Sequence, residues 1–294
     1  MPYREPAVGA SGPEEGPPQT ADELRQAAER AYSSADVDKA RRLIVQATDS
    51  YRRHHDEWGV ADAIAVRGAI ARFSGDVDSA IDFYGEALSL FTVVGDLTST
   101  ARLYRALAEV RFATGDHLGS AAVLHEGLSL LPDDPVLLEG LGYALWYLGR
   151  EADALTHLTH AMTVAPNHQS ALFARGQIHA DLEHPRPALA DLDHLTLPEG
   201  TPLDRRADLR SARGISLVAL GRNEEGEAEL SEALRLEPRR ARTYGRLAGV
   251  RLRAGDLDGA QAALSTALTV PDRLPTAHAN RIRQLLDRLS ATRA

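Results

Sequence analysis

No cysteine occurs in the 294 residues. A disulfide framework, thiolate-bound zinc and a cysteine nucleophile are therefore excluded. Aromatic residues are sparse, fifteen in all, and only Lys39 among the 33 basic residues is a lysine. That lysine follows no glycine run, so no G-x-x-x-x-G-K-[ST] phosphate loop exists. Neither a G-x-S-x-G elbow nor an H-E-x-x-H zinc motif is present. No stretch comes near the roughly 18 uncharged apolar residues of a membrane-spanning helix. The opening "MPYREPAVGASGPEEGPPQT" has no apolar run of the signal-peptide kind, and the expectation is a cytoplasmic protein.

What remains favours helices. Hydrophobic residues make up 44% of the chain, and most are alanine and leucine, which lose little side-chain entropy in a helix. Residues 1–20 are rich in Pro, Gly and Glu and read as a disordered tail. The net charge of −9 argues against whole-surface nucleic-acid binding. The charge is uneven, however. Residues 1–200 carry 16 basic and 30 acidic side chains, whereas residues 201–294 carry 17 and 12.

A repeat runs through the chain. A Gly-Asp-like turn is followed five positions on by a small residue in "GDVDSA" at 75, "GDHLGS" at 115, "GREADA" at 149, "GRNEEG" at 221 and "GDLDGA" at 255. "ADVDKA" at 35 and "EHPRPA" at 183 fit without the glycine. Units set to start at 21, 61, 101, 135, 169, 207 and 241 bring several columns into line. The eighth residue is Ala28, Gly68, Ala108, Gly142, Gly176, Gly214 and Ala248; the twentieth is Ala40, Ala80, Ser120, Ala154, Ala188, Gly226 and Ala260. All are small. The twenty-fourth is Ile44, Tyr84, Leu124, Leu158, Leu192, Leu230 and Leu264, all large. Two helices joined by a tight turn approach closely only where small residues face each other at the crossing. A left-handed C-cap accounts for the turn glycine. Each hairpin leaves apolar surface for the next to cover, which makes a stack.

This pattern resembles the tetratricopeptide repeat over residues 21–274. The unit at 135 matches best, with Leu138, Leu141, Gly142, Gly149, Ala154, Leu158, Ala161 and Pro166 at the family's large, small and terminating positions. The first three units are spaced 40 residues apart, rather than about 34, and resemble the longer repeats of kinesin light chains and bacterial peptide sensors. The resemblance implies an all-α, right-handed solenoid of about seven hairpins. Residues 275–294, "PTAHANRIRQLLDRLSATRA", then read as a C-terminal capping helix. Family members that grip a C-terminal carboxylate carry a Lys/Asn pair that no unit has here.

In this family positions 2, 5, 9, 12 and 13 of each first helix line the concave face. They share one side of the helix, away from the small residue at position 8. In the best-matched unit those positions hold Val136, Glu139, Tyr143, Trp146 and Tyr147, so the aromatics of "LGYALWYLG" map to the groove. Arg72 and Phe73, Arg102, Arg105 and Phe112, and Phe173 and Gln177 extend the set on neighbouring units, and Arg242 and Arg253 mark its C-terminal end. Exposed aromatics beside arginines have the composition of binding hot spots. The implied partner is a protein or peptide segment with apolar and acidic residues.

Nothing points to catalysis, a metal or a cofactor. His157 and His160 share a helix face and read as solvated surface residues without a third ligand. "HHDE" at 54–57 reads as a helix end, Asp133–Asp134 as a helix cap, and the basic runs at 205–213 and 239–253 as solvated flanks or as a positive end to the groove. The expectation is a non-enzymatic binding scaffold. Two alternatives are a regulatory sensor or adaptor acting through a partner, and an accessory or precursor-binding subunit of a biosynthetic enzyme. Homo-oligomerisation is left open.

Overall fold

The computed structural model describes residues 20–270 and 274–291. Fifteen helices and no strand occur among the described residues. The chain divides into two compact units between Leu103 and Tyr104. The first holds α1 (Ala21–Ser33), α2 (Val37–Arg53), α3 (Glu57–Phe73), α4 (Val77–Val94) and the start of α5 (Leu97–Ala113). The second holds the rest of α5, then α6 (His117–Leu130), α7 (Pro135–Tyr147), α8 (Glu151–Val164), α9 (Gln169–Asp181) and α10 (Pro185–Leu192). It continues through α11 (Leu203–Ala219), α12 (Asn223–Leu236), α13 (Ala241–Arg253), α14 (Leu257–Thr269) and α15 (Thr276–Ala291). Helices pair as hairpins, α1 with α2, α3 with α4, α7 with α8, α9 with α10, α11 with α12 and α13 with α14, and α15 packs on α14 through Ile282 and Leu289.

The hairpins are held where the small columns meet the large one. A Cβ added at Gly68 would stand 2.6 Å from the Tyr84 ring, one at Gly142 2.6 Å from Leu158, and one at Gly176 2.7 Å from Leu192. Ala40, Ala80, Ala154, Ala188 and Ala260 are buried on the opposing helices. Such contacts hold only if the turn between the two helices is short, and the left-handed residues supply that turn. Gly75, Gly115, Gly149, Gly221 and Gly255 all have positive φ. The two turns without glycine adopt the same conformation, with Ala35 at φ 61° and Glu183 at φ 59°. That conformation costs an L-residue with a Cβ about 1–2 kcal/mol. Ala35→Gly is accordingly expected to stabilise the first unit by about 0.5–1 kcal/mol after the added flexibility of the unfolded chain is subtracted. The check is the denaturation midpoint followed by Trp58 fluorescence after Trp146→Phe.

Three helix starts differ from the unit starts read in the sequence. α3, α5 and α11 begin near 57, 97 and 203 rather than at 61, 101 and 207. In the first two, Asp56 accepts from the Gly59 amide at 2.8 Å and Asp96 from the Ser99 amide at 3.0 Å, so each aspartate caps one extra helical turn. Residues 1–19 of the expected tail lie outside the described residues. Thr20 does not belong to that tail. It is the N-cap of α1, its hydroxyl accepting from the Glu23 amide while the Glu23 carboxylate accepts from the Thr20 amide.

Candidate binding site

The second unit carries a pocket of about 420 Å³ between α5, α6, α7 and the start of α9. α5 presents Arg105, Ala108, Glu109 and Phe112; α6 presents Ser120 and Leu124; α7 presents Val136, Glu139, Gly140 and Tyr143; and the start of α9 presents His168 and Ser170. The helical repeat explains the meeting. Arg105, Glu109 and Phe112 occupy positions 5, 9 and 12 of one unit, and Val136, Glu139 and Tyr143 occupy positions 2, 5 and 9 of the next. Pro135 opens α7 at the position where its missing N–H costs nothing, and Asp134 caps the free amides of Val136 and Leu137 at 3.0 and 2.9 Å. The aromatic wall continues beyond the pocket. Phe112, His117 and Tyr147 lie with ring centroids 4.6–5.0 Å apart, and Trp146 stands 5.9 Å from both Tyr143 and Tyr147.

The charges in the pocket are unequal in status. Arg105 donates to Glu109 at 3.0 Å. Glu139 is partly buried and has no hydrogen bond or ion pair among the described residues. Loss of solvent around it pushes its carboxyl up to about 7, with Glu109 adding to the rise and Arg205 and Arg105 opposing it. Arg205 lies instead over the ring of Phe173, 4.3 Å from its centroid. Burial raises the Tyr143 hydroxyl well above its ordinary value too.

The remaining residues expected in the groove are distributed differently. Trp146 does not face a groove: it is 2% exposed, the largest fully buried side chain described, and its ring carries the Arg242 guanidinium 4.5 Å from the centroid. Phe173 and Gln177 are buried as well. Arg242 is 3% exposed and donates to Asp208 at 3.1 Å. These side chains are covered because α7, α9, α11, α13 and α15 pack closely within the unit, α7 meeting both α9 and α15. Arg253 remains exposed and pairs with Glu183 at 3.1 Å. Arg72, Phe73 and Arg102 belong to the first unit. There Phe73 is 55% exposed and meets the Tyr32 ring edge-on at 5.2 Å, and Arg102 donates to the buried Asp62 at 3.1 Å.

Most arginines of the two basic runs are engaged by acidic groups of the chain itself. Asp208 accepts from Arg240 at 2.9 and 2.6 Å as well as from Arg242. Arg246, 1% exposed, donates to Asp181 at 3.0 and 2.8 Å, to Gln177 at 2.5 Å, to the Ser211 hydroxyl at 2.8 Å and to the Asp208 carbonyl at 3.1 Å. His278 of α15 approaches Asp181 at 3.5 Å, and Arg281 donates to the Asp181 carbonyl. Burial alone would raise both aspartates, but Arg246 and His278 around Asp181, and Arg242 and Arg240 around Asp208, hold them below the ordinary carboxylate value. Reasoning from sequence missed this network. The available signal was opposite charge at or beside the concave positions of successive units: Asp181 at position 13, Asp208 at position 2, and Arg242 at position 2 with Arg246 at position 6, one residue past position 5.

No group of three or more His, Cys, Asp or Glu residues that could hold a metal ion occurs among the described residues. His160 pairs with Asp133 at 2.9 Å, and His54 to Asp56 form the turn between α2 and α3. No described helix is long and apolar enough to cross a membrane.

Residues 211–278 match the tetratricopeptide repeat family model. A tetratricopeptide repeat protein from Parabacteroides merdae ATCC 43184 superposes with a TM-score of 0.59 over 92% of this chain and 98% of its own, at 15% identity. Residues 211–278 thus carry tetratricopeptide repeats, and the helical-hairpin fold is the one such proteins share. The same repeat fold relates the chain to the structure of the anaphase-promoting-complex heterotetramer Cut9–Hcn1, with a TM-score of 0.59, 14% identity and coverage of 91% of this chain and 49% of that one. A curated relative, protein FlbA of Caulobacter vibrioides (strain ATCC 19089 / CIP 103742 / CB 15), is 27% identical over a 278-residue alignment that covers 83% of this chain and 44% of FlbA. The chain thus spans less than half of that relative's length.

Proposed function

We propose that this chain is a non-enzymatic scaffold that binds a protein or peptide segment in the concave pocket bounded by α5, α6, α7 and α9. The observation that carries this reading is an open, mostly apolar cavity at the concave register positions of successive hairpins, with Phe112 and Tyr143 in its wall. Pockets of this size are typical of ligand sites, and aromatic anchors commonly carry most of the binding energy. The acidic partner residues expected from the sequence lose their support, because Arg102, Arg105 and Arg242 are all engaged by carboxylates of the chain itself. Apolar partner residues keep theirs.

The test is affinity for peptides selected by display against the wild-type chain. The double variant Phe112→Ala, Tyr143→Ala is expected to weaken binding at least about 30-fold, equivalent to the loss of about 2 kcal/mol at an anchor. Leu118→Ala, on a side chain that is 72% exposed and outside the pocket, is expected to leave it unchanged. Equal affinity for a folded double variant and the wild type overturns the reading.

A further inference from the structure

We infer that the pocket on α5, α6, α7 and α9 accepts an apolar-stemmed cation, the side chain of a lysine or arginine in the bound segment, with Glu139 as its counter-ion. The inference rests on the groove-binding reading above and specifies the chemistry of the partner. Three features of the pocket combine. Its walls, Ala108, Phe112, Leu124, Val136 and Tyr143, fit the methylene stem of a long side chain. The face of an aromatic ring also attracts a cation. Its one carboxylate without a hydrogen bond or ion pair among the described residues is Glu139, whereas Glu109 is already engaged by Arg105.

The alternatives fit less well. Any occupant removes more water from Glu139, and a purely apolar one would leave that carboxylate further desolvated and still without a partner. An acidic occupant would set a second negative charge beside Glu139 and Glu109. A cation supplies the missing partner, and its charge-assisted hydrogen bond strengthens as water leaves. The nearest cations of the chain do not take that role. Arg105 is held by Glu109, and Arg205 is stacked over Phe173.

The experiment uses the full chain and three libraries of nine-residue peptides with random flanks. The central residue is fixed as lysine, norleucine or glutamate. At pH 8 the chain is expected to retain the lysine library at least about tenfold better than the norleucine library, the usual scale for a hydrogen bond to a charged group. Glu139→Gln is expected to abolish that preference while norleucine peptides still bind. Lowering the pH from 8 to 5.5 is expected to shrink the lysine-to-norleucine ratio in the wild type and to leave it flat in Glu139→Gln. Besides Glu139, the groups lining the pocket that bear on this ratio are Arg105 and Glu109 of α5, His168 before α9 and Tyr143 of α7, and Arg205 of α11 acts on Glu139 from outside the lining.

A second measurement needs no variant. n-Butylammonium is expected to displace a bound lysine peptide at concentrations where n-butanol does not. Retention without a preference for lysine, or equal displacement by the two butyl compounds, overturns the cation inference and leaves the groove reading standing. Failure to retain any library overturns both.

Discussion

Replacing Asp208 with asparagine is expected to cost the second unit about 3–5 kcal/mol, the usual effect of breaking one partner out of a buried ion pair. Asp208 accepts hydrogen bonds from Arg240 and Arg242, and the Arg242 side chain is 4% exposed. With the charge gone, the buried Arg242 guanidinium is left with the neutral amide oxygen of the new asparagine, the face of Trp146 and the weaker pull of Asp181. The shape of the side chain is unchanged, so the loss is electrostatic. Trp146 lies against the affected arginine and reports the event directly. Its emission, followed with Trp58→Phe to remove the other signal, should show a lower urea midpoint. A midpoint equal to the wild type's would mean that Arg242 reaches solvent or finds another acceptor.

The same replacement carries a pH signature. Asp181 and Asp208 have carboxyls held below their ordinary value. A carboxylate with a lowered native pKa contributes stability above its unfolded value of about 4, and that stability is lost as pH falls through the native value. The wild-type second unit should therefore lose stability steeply below about pH 4, and Asp208→Asn should lose it less steeply from its lower starting point. Glu139 acts in the opposite sense. Its native carboxyl is pushed up to about 7, so it favours the folded state at low pH and that contribution fades as pH rises through 7.

The second large effect is expected at the closest helix crossing. Gly226→Ala should destabilise the α11–α12 hairpin by about 3 kcal/mol, at the upper end of the range for overpacking. Its new Cβ would stand 2.6 Å from the Gly214 carbonyl oxygen and 2.5 Å from Val218 Cγ2. Backbone cannot step aside without moving the helix. Gly142→Ala should cost less, about 1–2 kcal/mol, because its close contacts are side-chain atoms of Leu158 at 2.6 and 2.8 Å, and the nearest backbone atom is Ala154 O at 3.4 Å. Thermal unfolding followed by circular dichroism and by Trp146 emission ranks the two. A smaller loss at Gly226 than at Gly142 would show that the two helices separate there freely.

The hairpin architecture was legible because it is written in local spacing. Positions 8, 20 and 24 lie within one unit, and a small residue facing a large one at a helix crossing needs no knowledge of distant chain. The left-handed turns at Ala35 and Glu183 were likewise recoverable from position, although neither residue is glycine. Trp146 was misplaced for the opposite reason. Its register position is concave, but its burial depends on Arg242, which arrives 96 residues later in the chain, and on how closely α7 and α15 approach. Concave register tells which way a side chain points and leaves open whether another helix fills the space. Glu139 shows the limit from the other side. Its nearness to Tyr143 and Val136 in the pocket followed from spacing, whereas its lack of a partner among the described residues follows only from where Arg105 and Arg205 turn.

Arg246 joins Asp181 and Gln177 across 65 and 69 residues of chain. A simple repeat array has only nearest-neighbour couplings, so it can fray from one end, a hairpin at a time. These bonds skip a hairpin: α13 is tied straight to α9 while also packing on α11. The penalty of loop closure must be met before they form, which slows their appearance during folding. Once formed they forbid piecemeal loss, since opening α13 strands buried charge on α9. Hairpins five to seven thus behave as one cooperative block embedded in a sequence whose design is otherwise modular.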